Sequence, residues 1–172
     1  RRYRYPFTNC THCGPRLTIV RGAPYDRGTT SMVAFPLCEE CAAEYCDPAD
    51  RRFHAEPIAC HVCGPKARLI RFDGRALSYE QHSMLDDVDA AMSLVQKGEI
   101  VAVKALGGYQ LACDATKAET VERLRKLKRR DAKPFALMAR DIEVIRRFCS
   151  VSPDEEKALK SPAAPIVLLQ AQ

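Results

Sequence analysis

The sequence lacks any apolar run long enough to cross a membrane, and it lacks the two common loops that cradle nucleotide phosphates. No uncharged apolar stretch approaches the roughly 18 residues that a transmembrane helix needs. Neither a Walker-type phosphate loop nor a dinucleotide-binding glycine fingerprint occurs. The chain begins Arg1-Arg2-Tyr3-Arg4, without a signal-peptide pattern. We therefore expect a cytoplasmic protein that does not contact membranes.

Residues 1–75 also lack the apolar runs from which an ordinary core is built. They are rich in Arg, Cys, Pro and Asp, although hydrophobic residues make up 47% of the 172-residue chain. Such a segment needs a disulfide or a metal to hold it together. Six of the nine cysteines fall in Cys-x-x-Cys pairs, which in a cytosolic chain indicate metal. The pairs are Cys10/Cys13, Cys38/Cys41 and Cys60/Cys63, and Cys46, Cys113 and Cys149 stand alone.

The second and third pairs have the spacing of a complete zinc site. Eighteen residues separate Cys41 from Cys60, and two pairs at about this distance commonly supply four thiolates to one Zn²⁺. Four thiolates close the coordination shell, so the metal has no open position for chemistry. The pattern predicts a structural zinc held by Cys38, Cys41, Cys60 and Cys63, which stabilises the fold in place of a core.

The first pair belongs to an internal repeat with a period of fifty residues. Residues 1–3 align with 51–53, and residues 10–16 align with 60–66, both of which carry Cys-x-x-Cys-Gly-Pro followed by a basic residue. Cys10 and Cys13 would then close a unit whose opening pair lies before Arg1, so we expect the chain to begin inside a longer protein. Within this chain the pair is left to recruit His12, Cys46 or a solvent ligand, or to stay empty.

From about residue 84 the sequence alternates between helical and extended patterns, which favours an α/β sheet. We predict domains at 1–75 and 76–172: tandem zinc-stapled ribbon or knuckle modules, then an α/β domain. The predicted helices are 86–97, 117–128, 141–148 and 153–160, and the predicted strands are 99–104 (buried), 109–113, 134–139 and 165–169.

Basic side chains cluster after the third predicted helix. Seven Lys or Arg residues lie between Arg123 and Lys133, within a chain of net charge +5. Lys104 stands beside a flexible turn, Gly107-Gly108. Such a cluster suits phosphate oxygens, because Arg offers a planar fork of donors and Lys a point charge. For any single residue, the alternative is a solvated helix face.

Several motifs resemble one known family. Residues 7–16, 24–27 and 46–54 resemble the zinc-finger region of the hydrogenase maturation carbamoyltransferase family, HypF, as does the spacing of the three cysteine pairs. Residues 103–115, 128–138 and 161–169 are similar to the start of that family's YrdC-like domain. The resemblance implies that residues 76–172 form a partial α/β domain with a twisted mixed sheet.

The resemblance implies a concrete activity. Members of the family take carbamoyl phosphate and ATP with Mg²⁺, form a carbamoyl-adenylate, and transfer the carbamoyl group to the C-terminal cysteine of HypE. That group becomes the cyanide ligand of NiFe-hydrogenase. By the same resemblance the chain is a fragment, without transfer activity of its own. Its candidate contacts to the nucleotide phosphates and the carbamate are Lys104, Lys128, Arg130, Lys133 and Ser161.

The chain departs from the family pattern at three positions near these residues. Ala105, Gln110 and Lys117 stand where Gly, His and Asn are expected. The alternative function is a zinc-dependent RNA-binding or tRNA-modification module. Acidic residues within the zinc region, and the absence of stacking aromatics among the basic residues, make nucleic acid the weaker hypothesis.

Overall fold

The computed structural model describes residues 1–12, 14–75, 86–105 and 107–172. The described residues form two compact units, Arg1–Ala112 and Cys113–Gln172. The domain boundary predicted at residues 75 and 76 adjoins the undescribed segment 76–85, and it stays a prediction.

The first half of unit one is built from short turns rather than long elements. Two 3-10 helices, Arg27–Thr29 and Ser31–Ala34, follow one another. The Asp26 side chain accepts the Gly28 N–H and caps the first of them, in a box completed by Thr29. One helix, α1 (Glu39–Cys46), begins directly after Cys38. This segment therefore relies on caps and turns, as its shortage of apolar runs predicts.

Two small buried clusters replace a conventional core in this region. The first joins Tyr5, Met32 and Ala59. The second is built around sulfur, with Cys41, Ile58 and Cys60 each fully buried. Since residues 1–75 contain few other buried apolar groups, the cysteine cluster lies at the centre of the packing.

The remainder of unit one is a helix followed by a β-hairpin. Helix α2 (Asp87–Gln96) begins at Asp86, whose side chain accepts the first free N–H groups, and this confirms the predicted helix. Strands β1 (Val101–Ala105) and β2 (Gly108–Ala112) pair antiparallel. The prediction that the first strand is buried is wrong, because four of its five residues are exposed.

Unit two contains three helices and one short strand pair. Helix α3 (Ala118–Lys128), α4 (Ile142–Arg146) and α5 (Pro153–Leu159) lie within their predicted ranges. Strands β3 (Cys149–Ser150) and β4 (Gln170–Ala171) pair antiparallel.

The mixed sheet is reduced to two antiparallel pairs in the described chain. The strands predicted at 134–139 and 165–169 are wrong, because neither segment enters a ladder. A strand requires a neighbouring strand for its backbone hydrogen bonds, and the described residues offer these two segments none. Among the residues that the structure describes, no helix is long and apolar enough to cross a membrane.

Candidate metal centre and basic segment

Four sulfur atoms converge in the cysteine-rich region. The Sγ atoms of Cys38, Cys41, Cys60 and Cys63 all lie within 4.8 Å of one another. Cys60 Sγ is 3.8 Å from Cys38 Sγ and 3.8 Å from Cys63 Sγ. At a Zn–S distance of about 2.3 Å, the edge of a tetrahedron of sulfurs is about 3.8 Å. The spacing of these sulfurs therefore fits one tetrahedral zinc ion.

Local chain geometry explains how each pair is presented. Cys38 is the N-terminal cap of α1 and Cys41 lies in its first turn, so the helix itself aims both sulfurs to one side. Cys60 and Cys63 lie on a tight turn in which the Val62 N–H approaches Cys60 Sγ at 3.4 Å. In each pair the two sulfurs are thus presented from one short backbone segment.

The pKa values of two of the clustered thiols, Cys60 and Cys41, shift in opposite directions. Burial opposes ionisation of Cys60, but the backbone N–H groups of Cys63 and Val62 and the neighbouring thiols outweigh it and lower the pKa of Cys60 to about 6. Burial and hydrogen bonds with the neighbouring cysteines raise the pKa of Cys41. One thiolate forms readily, while four adjacent thiolates need a positive charge between them. A divalent cation held by the four sulfurs would supply it, and a closed set of four ligands would give that ion a structural role.

Two arginines from the start of the chain reach the same cluster. Arg2 Nη2 donates to Cys41 Sγ at 3.2 Å, and Arg1 Nη2 donates to the same sulfur at 3.6 Å. Both guanidinium groups are anchored on carboxylates of α1, Arg2 on Glu44 and Arg1 on Glu40. The first repeat copy therefore contributes donors to the metal centre of the second.

Arg27 connects the two segments that lead into the cysteine pairs. Its Nη1 donates to the carbonyls of Glu56 and Ile58 at 2.6 and 3.0 Å, and its Nη2 donates to the carbonyl of Phe35 at 2.7 Å. Burial lowers the pKa of this guanidinium. Because one rigid group holds both approaches, Arg27 fixes the distance between the Cys38 and Cys60 turns.

Tyr5 packs against the closing turn of the complete site. Its Oη donates to the Pro65 carbonyl at 3.1 Å. An added Cβ at Gly64 would collide with Tyr5 Oη and lie 2.6 Å from Ala59 Cβ, so only glycine fits there. Burial, followed by the charges of Cys63, Cys60 and Cys41, raises the pKa of Tyr5 to about 12.

Cys10, in the first cysteine pair, has more exposed surroundings than the four clustered cysteines. Cys10 is exposed, and its sulfur receives the His12 N–H at 3.4 Å. His12 and Cys46 are exposed as well. Cys13 lies outside the described residues. Metal binding by Cys10 and Cys13 therefore stays a prediction.

Two of the predicted phosphate-binding residues, Arg130 and Lys133, lie in a segment that Arg125 contacts. Arg125 Nη1 donates to the carbonyls of Arg130 and Lys133, both at 3.2 Å. The guanidinium groups of Arg125 and Arg130 lie 4.7 and 5.4 Å from the centre of the Phe135 ring. The structure thus brings Arg130 and Lys133 into one loop directly after Lys128, the last residue of α3.

The other two candidates are placed separately. Lys104 is an exposed residue of β1 in unit one, opposite Tyr109. Ser161 follows α5, and its Oγ donates to the Ala158 carbonyl at 2.7 Å. Gln110, at a position where the resemblance leads us to expect His, is exposed on β2. The roles of these residues remain proposals.

Comparison with known proteins assigns both halves of the chain. The family model described as HypF finger matches residues 1–20 and 37–70. The Sua5/YciO/YrdC model, described as Telomere recombination, matches residues 93–172. A carbamoyltransferase HypF of Rhodobacter capsulatus is 54% identical over 172 residues, which is 100% of this chain and 22% of that protein. The chain belongs to the HypF family.

Solved structures agree with this assignment. The crystal structure of HypF from T. kodakarensis matches 99% of this chain and 22% of that one, with 48% identity and a TM-score of 0.87. A full-length HypF in its phosphate- and nucleotide-bound form matches 100% of this chain and 22% of that one, with 47% identity and a TM-score of 0.83. The chain spans about a fifth of the length of these relatives, and the resemblance predicted from sequence is confirmed.

Sequence reasoning missed the residues that surround the metal centre. In the sequence Arg2 stands out only as part of the repeat, and no pattern marks Tyr5 or Arg27 as a neighbour of the cysteines. The one available signal was that the Arg doublet of the repeat occurs in both copies, at residues 1–2 and 51–52.

Proposed function

We propose that this chain is the zinc-finger segment and the first part of the nucleotide-handling domain of a carbamoyltransferase. In the proposed reaction the longer enzyme uses carbamoyl phosphate and ATP, with Mg²⁺, to form a carbamoyl-adenylate. The carbamoyl group then passes to the C-terminal cysteine of a HypE-type acceptor, for the cyanide ligand of NiFe-hydrogenase. The observation that carries this proposal is the match of the whole chain to HypF carbamoyltransferases.

The metal centre contributes stability rather than chemistry in this proposal. Its four proposed ligands, Cys38, Cys41, Cys60 and Cys63, leave no open coordination position for a substrate. The fully buried Cys41 and Cys60 also place the ion away from solvent. The role of the zinc is to hold a region with little apolar core in one conformation.

The basic segment after α3 is the proposed contact for the nucleotide and the carbamate. Lys128, Arg130 and Lys133 together concentrate positive charge within six residues, as anionic phosphate oxygens require. Arg125 and Phe135 hold this segment through two backbone hydrogen bonds and a cation–π contact. A loop that is ordered in this way loses less entropy when a ligand binds.

Lys104 and Ser161 are proposed as further contacts. Lys104 is exposed and carries the positive charge that a phosphate needs. The Ser161 hydroxyl donates to its own helix end, and it has lone pairs left to accept a hydrogen bond.

The test uses a chimera in which this chain replaces the matching segment of the R. capsulatus enzyme. We expect AMP formation that depends on carbamoyl phosphate, and a marked loss of it in Lys128→Ala and Arg130→Ala. Lys126→Ala is the matched control, because Lys126 lies exposed on the same helix and pairs only with Glu122 within the described chain. An inactive but folded chimera, or equal losses in all three variants, would contradict the proposal.

Measurements on the 172-residue chain alone distinguish the carbamoyltransferase proposal from the RNA-binding hypothesis. We expect it to show no carbamoyl-phosphate-dependent AMP formation, and no binding to generic RNA at low micromolar concentrations. Salt-dependent RNA binding that Lys128→Ala and Arg130→Ala weaken would favour the nucleic-acid function instead.

A further inference from the structure

We propose that Arg2 is a positioning residue of the metal centre, whose N–H···S hydrogen bond to Cys41 tightens the hold of the four cysteines on zinc. The inference goes beyond the proposed carbamoyltransferase function, because it concerns how one repeat copy controls the metal site of the other. It rests on contacts between described residues 39 and more positions apart in sequence.

The guanidinium of Arg2 is held from three directions. Its Nε donates to the Ala59 carbonyl at 2.8 Å. Its Nη1 and Nη2 donate to the two carboxylate oxygens of Glu44 at 3.2 and 2.6 Å. Its Nη2 also donates to Cys41 Sγ at 3.2 Å. Only 10% of the side chain is exposed, so the donor is fixed and largely shielded from water.

The hydrogen bond from Arg2 to Cys41 Sγ matters because zinc with four thiolates carries a net charge of −2. Hydrogen bonds to the sulfurs spread that charge and stabilise the ligated form. The carboxylate of Glu44 offsets much of the positive charge of Arg2. The directional N–H···S bond, rather than the charge of the arginine alone, therefore carries the effect.

Arg1 supplies an internal comparison. It approaches the same sulfur at 3.6 Å, and 25% of its side chain is exposed. A longer and more solvated contact is weaker. The proposal therefore predicts a graded order, in which Arg2 affects zinc binding strongly, Arg1 weakly, and the exposed Arg51 not at all.

The first experiment measures zinc affinity and zinc release in the 172-residue chain by competition with a chromophoric chelator. We expect Arg2→Ala to weaken binding about 10- to 100-fold, the range found when groups behind metal ligands are removed. Arg2→Lys keeps the charge but cannot reproduce the fork, so we expect a loss close to that of Arg2→Ala. Arg51→Ala, at the repeat counterpart of Arg1, is the matched control.

The second experiment uses Co²⁺ in place of zinc as a spectroscopic probe of the sulfurs. A hydrogen bond lowers the energy of the sulfur lone pairs, so its removal shifts the sulfur-to-cobalt charge-transfer band to longer wavelength. We expect this shift in both Arg2 variants and not in Arg51→Ala. A purely structural role for Arg2 would lower the thermal midpoint without moving the band.

Two results would overturn the inference. One is zinc affinity in Arg2→Lys within twofold of Arg51→Ala, and the other is an unchanged cobalt band in a folded Arg2 variant. If Arg2→Ala fails to fold, Arg2→Lys and Arg1→Ala still test the predicted order. Cys60→Ser tests the ligand set separately, since an unchanged zinc affinity in that variant would refute the site itself.

Discussion

The two copies of the fifty-residue repeat end in the same Cys-x-x-Cys-Gly-Pro motif but have different surroundings. In the second copy, Cys60 is fully buried and Gly64 is packed against Tyr5. In the first copy, Cys10 is exposed, and Gly14 has open space around it with a positive φ of 71°. Sequence identity within the motif therefore does not imply an equal structural role.

The arginines of the repeat differ in the same way. Arg2 finds a carboxylate, a carbonyl and a sulfur as acceptors. Its counterpart Arg52 is just as buried, at 7% exposure, yet its Nε has no hydrogen-bond partner among the described residues. The difference shows that a copy gains stability from acceptors that other segments supply, here α1 and the Cys60 turn.

The largest expected effect is the difference in zinc content between variants of the two closing cysteine pairs, Cys60/Cys63 and Cys10/Cys13. Cys60→Ser removes a buried ligand, and we expect loss of the zinc from the four-cysteine site together with unfolding of the region around it. Structural zinc contributes about 10–16 kcal/mol in small zinc-finger peptides. Cys10→Ser should leave that site loaded. Metal content by atomic spectroscopy, with circular dichroism, measures both variants, and equal zinc loss in the two would contradict the comparison.

The two glycines give the next largest difference. Gly64→Ala forces its Cβ into Tyr5 and Ala59, so we expect a loss of about 3 kcal/mol in the free energy of unfolding. Gly14→Ala meets no neighbour, and its cost is the left-handed backbone alone, about 1 kcal/mol. Urea unfolding of the zinc-loaded chain measures both. Equal losses would show that the two turns are packed alike.

Arg27 has no arginine counterpart in the second copy of the repeat, because the aligned residue there is Leu77. Arg27→Met leaves three carbonyl acceptors without their donor, and we expect a loss of about 2 kcal/mol. The control is Arg21→Met, because Arg21 is exposed and its counterpart Arg71 is also arginine. Thermal unfolding of the zinc-loaded chain compares them, and a smaller loss in Arg27→Met than in Arg21→Met would contradict the assigned role.

Tyr5→Phe gives the smallest expected effect, since it removes only the hydrogen bond to Pro65. We expect a loss of about 1 kcal/mol near neutral pH, against no loss in Tyr3→Phe, whose ring is exposed.

The pH dependence of the free energy of unfolding gives a further test of Tyr5→Phe. The pKa of Tyr5 is raised in the folded state to about 12. Its contribution is therefore complete below the unfolded pKa of about 10 and is lost as the pH rises toward 12. The free energy of unfolding should fall over that range in the wild type and fall less in Tyr5→Phe. Parallel curves would show that Tyr5 ionises without constraint.

Much of the local structure was predictable because it depends on neighbours in sequence. Asp86 and Ser152 cap the helices that follow them, as short polar residues before a helical pattern indicate. The segments 134–139 and 165–169 resemble strands in apolar composition alone. Composition does not reveal whether a partner strand is present, and that is why these predictions were wrong.

The sequence by itself determined the family, the repeat and the two cysteine pairs that converge, because ligand type and spacing are encoded over short distances. Only the tertiary structure decided which residues surround the sulfurs. Arg2, Tyr5 and Arg27 reach the site across 29 to 60 positions of the chain. No periodicity predicts such contacts, since they depend on how the segment before Cys38 folds back onto the complete site.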